Sequence, residues 1–280
     1  MTSKSVKIKT VILGVLFALH ALYGIAANPA GYFSVDEGAY SMMARSFAES
    51  GSLSVSNGYE EFPSRELAYL MLREDTREAG NPRLVPQYPS VYAFVAYPFY
   101  AAAGFRGLQF MNLLAFLATV LVTVALARRI FGDASLALNA AFFLVLAGFT
   151  WEYAHGAWPH ALSMLAVTTA VWLAAMAYQS PATKEWLRPA LAAGLAAGIG
   201  AGFRYDVILV IPAMAIPFLF ASPVRPWPPL AMLAGAIPGL ALLTATNYAK
   251  FGIASPFTYG FDESRGPVSL VSYAPLILAA

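Results

Sequence analysis

The chain contains no cysteine, which excludes disulfides and thiolate metal sites. Charge is scarce as well: 11% of its 280 residues are charged, against about a quarter in an ordinary soluble domain. The formal net charge of +2 leaves no basic footprint for nucleic acid. What remains is apolar, with 59% hydrophobic residues and a mean hydropathy of +0.62. Several runs of fifteen to twenty residues carry no charge, the mark of helices that cross a lipid core. The fold class expected is an all-α polytopic membrane protein.

The first apolar run, Thr10–Ala27, follows Lys4, Lys7 and Lys9. It fits a cleaved signal peptide or a retained anchor, and the further runs downstream favour the anchor. Residues 28–88 then hold nine of the fifteen acids, among them Asp36, Glu37, Glu60, Glu61 and Glu66. That stretch is a first external loop far longer than the usual connection, and with the next apolar stretch it extends over 28–106. Ala39, Tyr40, Met42, Met43 and Phe47 share one helical face, and Leu67, Leu70 and Met71 repeat the pattern between Ser64 and Arg77. Both are expected as interfacial helices with the apolar side toward lipid.

"YPSVYAFVAYPFYAAAGF" (88–105) is short for a span and broken by Pro89 and Pro98. If it does not cross, Arg128, Arg129, Lys184, Arg188 and Arg225 all fall inside, as the positive-inside rule prefers. It is therefore expected as a re-entrant or interfacial hairpin. Seven spans follow from that choice: 10–27, 107–127, 134–150, 160–178, 188–203, 207–221 and 229–249. The sequence stops within the apolar run "APLILAA", so 1–280 is expected to be the N-terminal part of a longer protein.

This topology sends one set of polar groups to the outer face. It comprises Asp36 with Glu37, then Glu152, His155 and His160 in "TWEYAHGAWPHA", then Arg204 and Asp206, then "NYAKFGIASPFTYGF" with Tyr259. Ionisable groups at membrane level are costly and usually functional. Asp36 and Glu37 suit either a helix cap or chemistry, one deprotonating a hydroxyl while the other holds a divalent cation. Glu152, His155 and His160 offer substrate or metal contacts, though not at a zincin spacing, and the histidines equally suit hydrogen-bonded positions at the interface; Glu37 and Glu152 are the candidate ligands for Mg or Mn. Trp151 and Trp158 suit the headgroup belt or a sugar ring. Arg204 beside Tyr205 suits phosphate, or an ion pair with Asp206.

With those residues placed, the chain resembles the GT-C superfamily of polyprenyl-phosphate-dependent glycosyltransferases, most closely the protein mannosyltransferase and aminoarabinose transferase branch (glycosyltransferase family 39-like). The resemblance rests on "VDEGAYSMMARSF", the 88–105 stretch followed by a span ending "ARRIFG", "AAGLAAGIGAGFRYDVILVIPA" and "TNYAKFGIASPFTYGF". It implies a GT-C-type transmembrane module over the whole chain, interfacial helices in the first external loop, and an extracytoplasmic active site. It implies inverting transfer from a polyprenyl-phosphate-linked sugar to a lipid, glycan or protein acceptor, with Asp36 or Glu37 catalytic and Arg204 on the donor phosphate. Membrane lipid is the surrounding partner; nucleic acid is not one. The competing classes are a transporter or lipid flippase, and a non-catalytic assembly subunit.

Overall fold

The computed structural model describes residues 3–27, 31–32, 34–56, 72–75, 83–146, 150–180 and 184–258. Four of its helices are long and apolar enough to cross a membrane: α1 (Ser3–Leu22), α3 (Val91–Phe131), α6 (His160–Gln179) and α9 (Trp227–Phe251). Three of the seven expected spans instead coincide with shorter apolar helices: α4 (Ala134–Leu146), α7 (Leu187–Ala201), and a 3-10 turn (Tyr205–Leu209) leading into α8 (Val210–Leu219). Thirteen helical residues reach about 20 Å, against about 30 Å of hydrocarbon.

α3 has 41 residues; a straight helix of that length would run about 60 Å, twice the bilayer core. It is broken at Ala103–Gly104, where Gly104 takes φ 57°, a left-handed value that favours glycine. The second limb folds against the first: a Cβ on Gly107 would lie 1.8 Å from the Phe99 carbonyl oxygen. The 88–105 stretch is thus a helical limb with a sharp turn at its end.

α2 (Val35–Ser50) opens on a capping box, with Ser34 as N-cap and Glu37 at N3, and closes on Gly51 at φ 67°. Its apolar face is not turned to lipid as expected. Tyr40, Met43 and Ala44 are buried against Val91, Tyr92, Ala93 and Ala96 of α3, because that limb offers an apolar surface that a helix at the interface can cover. The second expected interfacial helix is also corrected where it can be seen. Residues 72–75 form strand β1 (Leu72–Asp75), antiparallel to β2 (Arg83–Pro86) with Leu72 opposite Pro86. Leu84 is paired again by Val55 on the other side, so cross-strand pairing overrides the helical periodicity. Residues 57–71 lie outside the described residues.

The helices pack around three apolar centres, one of which joins α1, α3 and α4 through Leu13, Phe116, Val120 and Leu138. A second joins α2, α3, the start of α6 and Phe203 and Tyr205; the third joins α6, α7, α8 and α9. α7 and α9 approach closely through glycine: Gly194 lies under the Met232 carbonyl and Gly239 against Gly198. α1 stands at the edge, tied to α4 by Lys9, which donates to Ser135 and Asn139 at 2.6 and 2.7 Å.

Charge sorts to the two ends of the bundle. At one end Gln179 donates to the Arg129 carbonyl and Arg225 to the Tyr178 carbonyl, bringing the basic ends of α3 and the 222–226 turn together. The other end carries Asp36, Glu37, His155, His160, Arg204 and Asp206.

Candidate active site

The turn between α5 (Thr150–His155) and α6 is the frame of this second end. Three side chains from two helices hold it. Asn112 of α3, fully buried, donates from its amide to the Gly156 and Trp158 carbonyls at 2.6 and 2.7 Å. Tyr92 donates to the Ala157 carbonyl at 3.4 Å. Glu37 accepts the Ala157 amide on one carboxylate oxygen at 2.7 Å and the Ser34 amide on the other at 3.2 Å. Glu37 is 0% exposed. Both its oxygens serve the backbone, so it locks the start of α2 to the start of α6.

Its neighbour Asp36 behaves differently. It is half-buried, and one oxygen accepts the Tyr88 hydroxyl at 2.7 Å. The other has no hydrogen-bond partner among the described residues.

The α6 start places His160, and the end of α7 with the turn after it places Arg204. The guanidinium donates to Asp206 at 3.0 and 2.9 Å and meets His160 Nε2 at 2.6 Å. A guanidinium only donates, so Nε2 must accept and the His160 proton sits on Nδ1. That Nδ1 is buried and has no partner among the described residues. The Tyr153 ring stacks on His160 at 4.3 Å. Arg204 holds the Asp206 carboxyl below its usual range, chiefly through these hydrogen bonds.

Asp36 and Arg204 come to the same neighbourhood. Both charges reach the His160 ring and the Tyr40 phenol. Burial pushes Tyr40 well above its usual range, Tyr88 adds to that, and the Arg204 and Asp36 charges act on it in opposite senses.

Below Arg204 opens a cavity of about 690 Å³. His160, Tyr153, Arg204 and Asp206 form its polar head, and α3, α4, α6 and α8 its walls, through Thr119, Leu144, Val167 and Val210 among others. The hydroxyls of Thr119, Thr123 and Ser163 donate to carbonyls one turn back in their own helices. The walls therefore offer mainly carbon. Val210 also lines a second cavity, of about 400 Å³, which continues along α6 and α8 to Tyr178 and Gln179. The α6 residues involved, from His160 through Met164, Val167 and Val171 to Ala175 and Tyr178, follow one face of a 20-residue helix, about 30 Å long.

The other sequence candidates lie apart from this cavity. Tyr205 is buried and donates to the Thr258 carbonyl at 2.6 Å, close to Asn247; it fastens the chain after α9. His155 is buried against His20, Tyr23 and Trp151, with His20 Nδ1 at 3.2 Å from its Nε2. Burial first, and the nearby His20 second, bring its pKa down to about 4. The Glu152 side chain is exposed, and Tyr259 lies outside the described residues. Among the described residues no three His, Asp or Glu side chains gather as a set of metal ligands; of the two carboxylates expected to bind Mg or Mn, Glu37 serves backbone amides and Glu152 is exposed. Tyr88, Asn112 and Lys250, which Tyr88 accepts through its carbonyl at 2.6 Å, had no local sequence signal.

Apolar helices of bilayer length and a carbon-walled cleft with a guanidinium at its head define an integral membrane protein. Residues 88–248, more than half of the chain, match the family described as dolichyl-phosphate-mannose-protein mannosyltransferase, a GT-C family. The chain belongs to that family and is a membrane glycosyltransferase. The matched stretch contains His160, Arg204 and the cleft walls; Asp36 lies ahead of it. No curated protein and no solved structure matches.

Proposed function

We propose that the protein transfers a sugar from a polyprenyl-phosphate donor to an acceptor hydroxyl at the extracytoplasmic face, with inversion at the anomeric carbon. The observation that carries this reading is the cleft: a carbon-walled furrow along α6, headed by Arg204 and His160, with Asp36 alongside. An isoprenoid tail suits the walls, and its phosphate suits the guanidinium. The basic end of the bundle, with Arg129 and Arg225, belongs inside by the positive-inside rule. The site end is then outside.

In the reaction the acceptor hydroxyl attacks the anomeric carbon from the face opposite the phosphate. The oxygen–carbon bond forms as the carbon–phosphate oxygen bond breaks. The hydroxyl proton passes to the Asp36 oxygen that Tyr88 leaves unoccupied. Arg204, aligned by His160, takes up the charge on the departing polyprenyl phosphate.

Incubating the membrane-embedded protein with a labelled polyprenyl-phosphate sugar tests this. Transfer is expected. Asp36→Asn is expected to lower turnover by about a thousandfold or more while the donor still binds. Arg204→Ala is expected to weaken donor binding by about tenfold to a hundredfold. Active Asp36→Asn removes the base, and unchanged donor affinity in Arg204→Ala removes the phosphate contact. Gradient-driven donor movement without transfer indicates a transporter instead.

A further inference from the structure

Lys250 lies one residue from the end of α9 and is 0% exposed. An ammonium so buried is unfavourable unless its donors are satisfied. No carboxylate pairs with it among the described residues. Its Nζ instead donates to two backbone carbonyls, Pro86 at 3.0 Å and Tyr88 at 2.6 Å, and lies 4.7 Å from the Phe251 ring centroid. An apolar side chain of similar length would fill the space without the cost of desolvation. The grip on the carbonyls is what only a multiple donor supplies.

The gripped segment matters because of what it carries. Residues 86–88 join β2 to the start of α3, with Pro86 and Pro89 contributing no N–H to any ladder. Tyr88 projects from this segment, packs on Tyr40 at 4.9 Å, and donates its hydroxyl to Asp36. A chain of contacts thus runs from α9 through Lys250 and the Tyr88 backbone to the Tyr88 hydroxyl and the Asp36 carboxylate.

We propose that Lys250 is a positioning residue for the reaction: by clamping the Pro86 and Tyr88 carbonyls it fixes the phenol that holds one Asp36 oxygen and leaves the other aimed at the acceptor. The proposal rests on Asp36 being the base. Without the clamp, segment 86–88 is free to shift, and the carboxylate loses its orientation while the cleft for the donor stays intact.

The test is a double-mutant cycle on the full chain in proteoliposomes, with Lys250→Met, Tyr88→Phe, the pair, and Asp36→Asn as reference. Each single variant is expected to lower kcat by about thirtyfold with donor KM unchanged within about twofold. The pair is expected to be no worse than Tyr88→Phe alone, because both act through one hydroxyl. Lys250→Gln keeps two N–H donors and is expected to recover most of the loss; Lys250→Leu replaces Lys250→Met in the cycle should the methionine variant fail to fold. Independent, multiplying effects overturn the relay, as does a loss carried by donor KM. If Asp36→Asn is inactive and the effects multiply, the relay falls and the base stands; if Asp36→Asn turns over, both fall.

Discussion

The seam between α7 and α9 and the furrow along α6 and α8 are built from similar residues and do opposite things. In the seam glycines face the backbone of the opposite helix. A Cβ on Gly194 would lie 1.8 Å from the Met232 oxygen, and one on Gly239 would lie 2.3 Å from the Gly198 carbonyl carbon. Backbone meets backbone, which in lipid is how helices gain van der Waals energy. In the furrow the small and medium residues of α6, such as Ser163, Thr168 and Ala175, line open volume. Small side chains close a membrane interface only when the partner backbone comes close; opposite larger spacing they leave a groove. One composition serves cohesion in one place and binding in the other.

The largest effect is expected where the seam is forced apart. Gly239→Leu puts four carbons against backbone that cannot move aside. Overpacking of a rigid contact costs about 3 kcal/mol or more. The variant is expected to lose its cooperative thermal transition and to elute as aggregate in detergent. A monodisperse variant with an unchanged Tm removes the close α7–α9 crossing.

Filling the furrow is the complementary change. Thr168→Phe and Ala175→Phe place a ring into space instead of against a wall, so Tm is expected to hold within a few degrees. Thr168→Phe, below Arg204, is expected to raise donor KM by about tenfold, because about six carbons of tail contact are displaced. Ala175→Phe lies further along the groove and is expected to penalise only donors whose tails reach it. Comparing a long-chain donor with a ten-carbon analogue reads this directly: the long donor suffers and the short one does not. Equal loss for both, or none for either, disconnects the distal groove from the donor.

Much of this contrast was legible beforehand. The runs that became α1, α6 and α9 announce themselves by length and hydropathy, and the basic residues at 128–129 and 225 gather at one end of the bundle. The cap was one of two roles open to Asp36 and Glu37, and Glu37 takes it, in a capping box with Ser34. What stayed hidden depends on distance along the chain. Tyr88 finds Asp36 across 52 residues, and Lys250 finds Tyr88 across 162; no periodicity encodes such meetings. Strand β1 was hidden for another reason: Leu67, Leu70 and Met71 ahead of it carry a helical spacing, while β1 pairs with β2 nearby. The lipid-facing orientation given to α2 failed because amphipathicity fixes which face is apolar, not what covers it.

The smallest effect sharpens the head of the furrow. Asp206 occupies two nitrogens of Arg204, yet the side chains are 58% and 36% exposed. An ion pair this open is worth about 0.2–1 kcal/mol after solvent screening. A donor phosphodiester, whose two non-bridging oxygens share one negative charge, competes for the same fork, so the resident carboxylate is a weak rival and not a barrier. Asp206→Asn keeps the shape and removes the charge. Donor KM is expected to fall by about twofold to threefold, with kcat and Tm unchanged. A rise in KM gives Asp206 the contrary role, holding Arg204 in its binding pose, and makes the furrow head as rigid a construction as the seam.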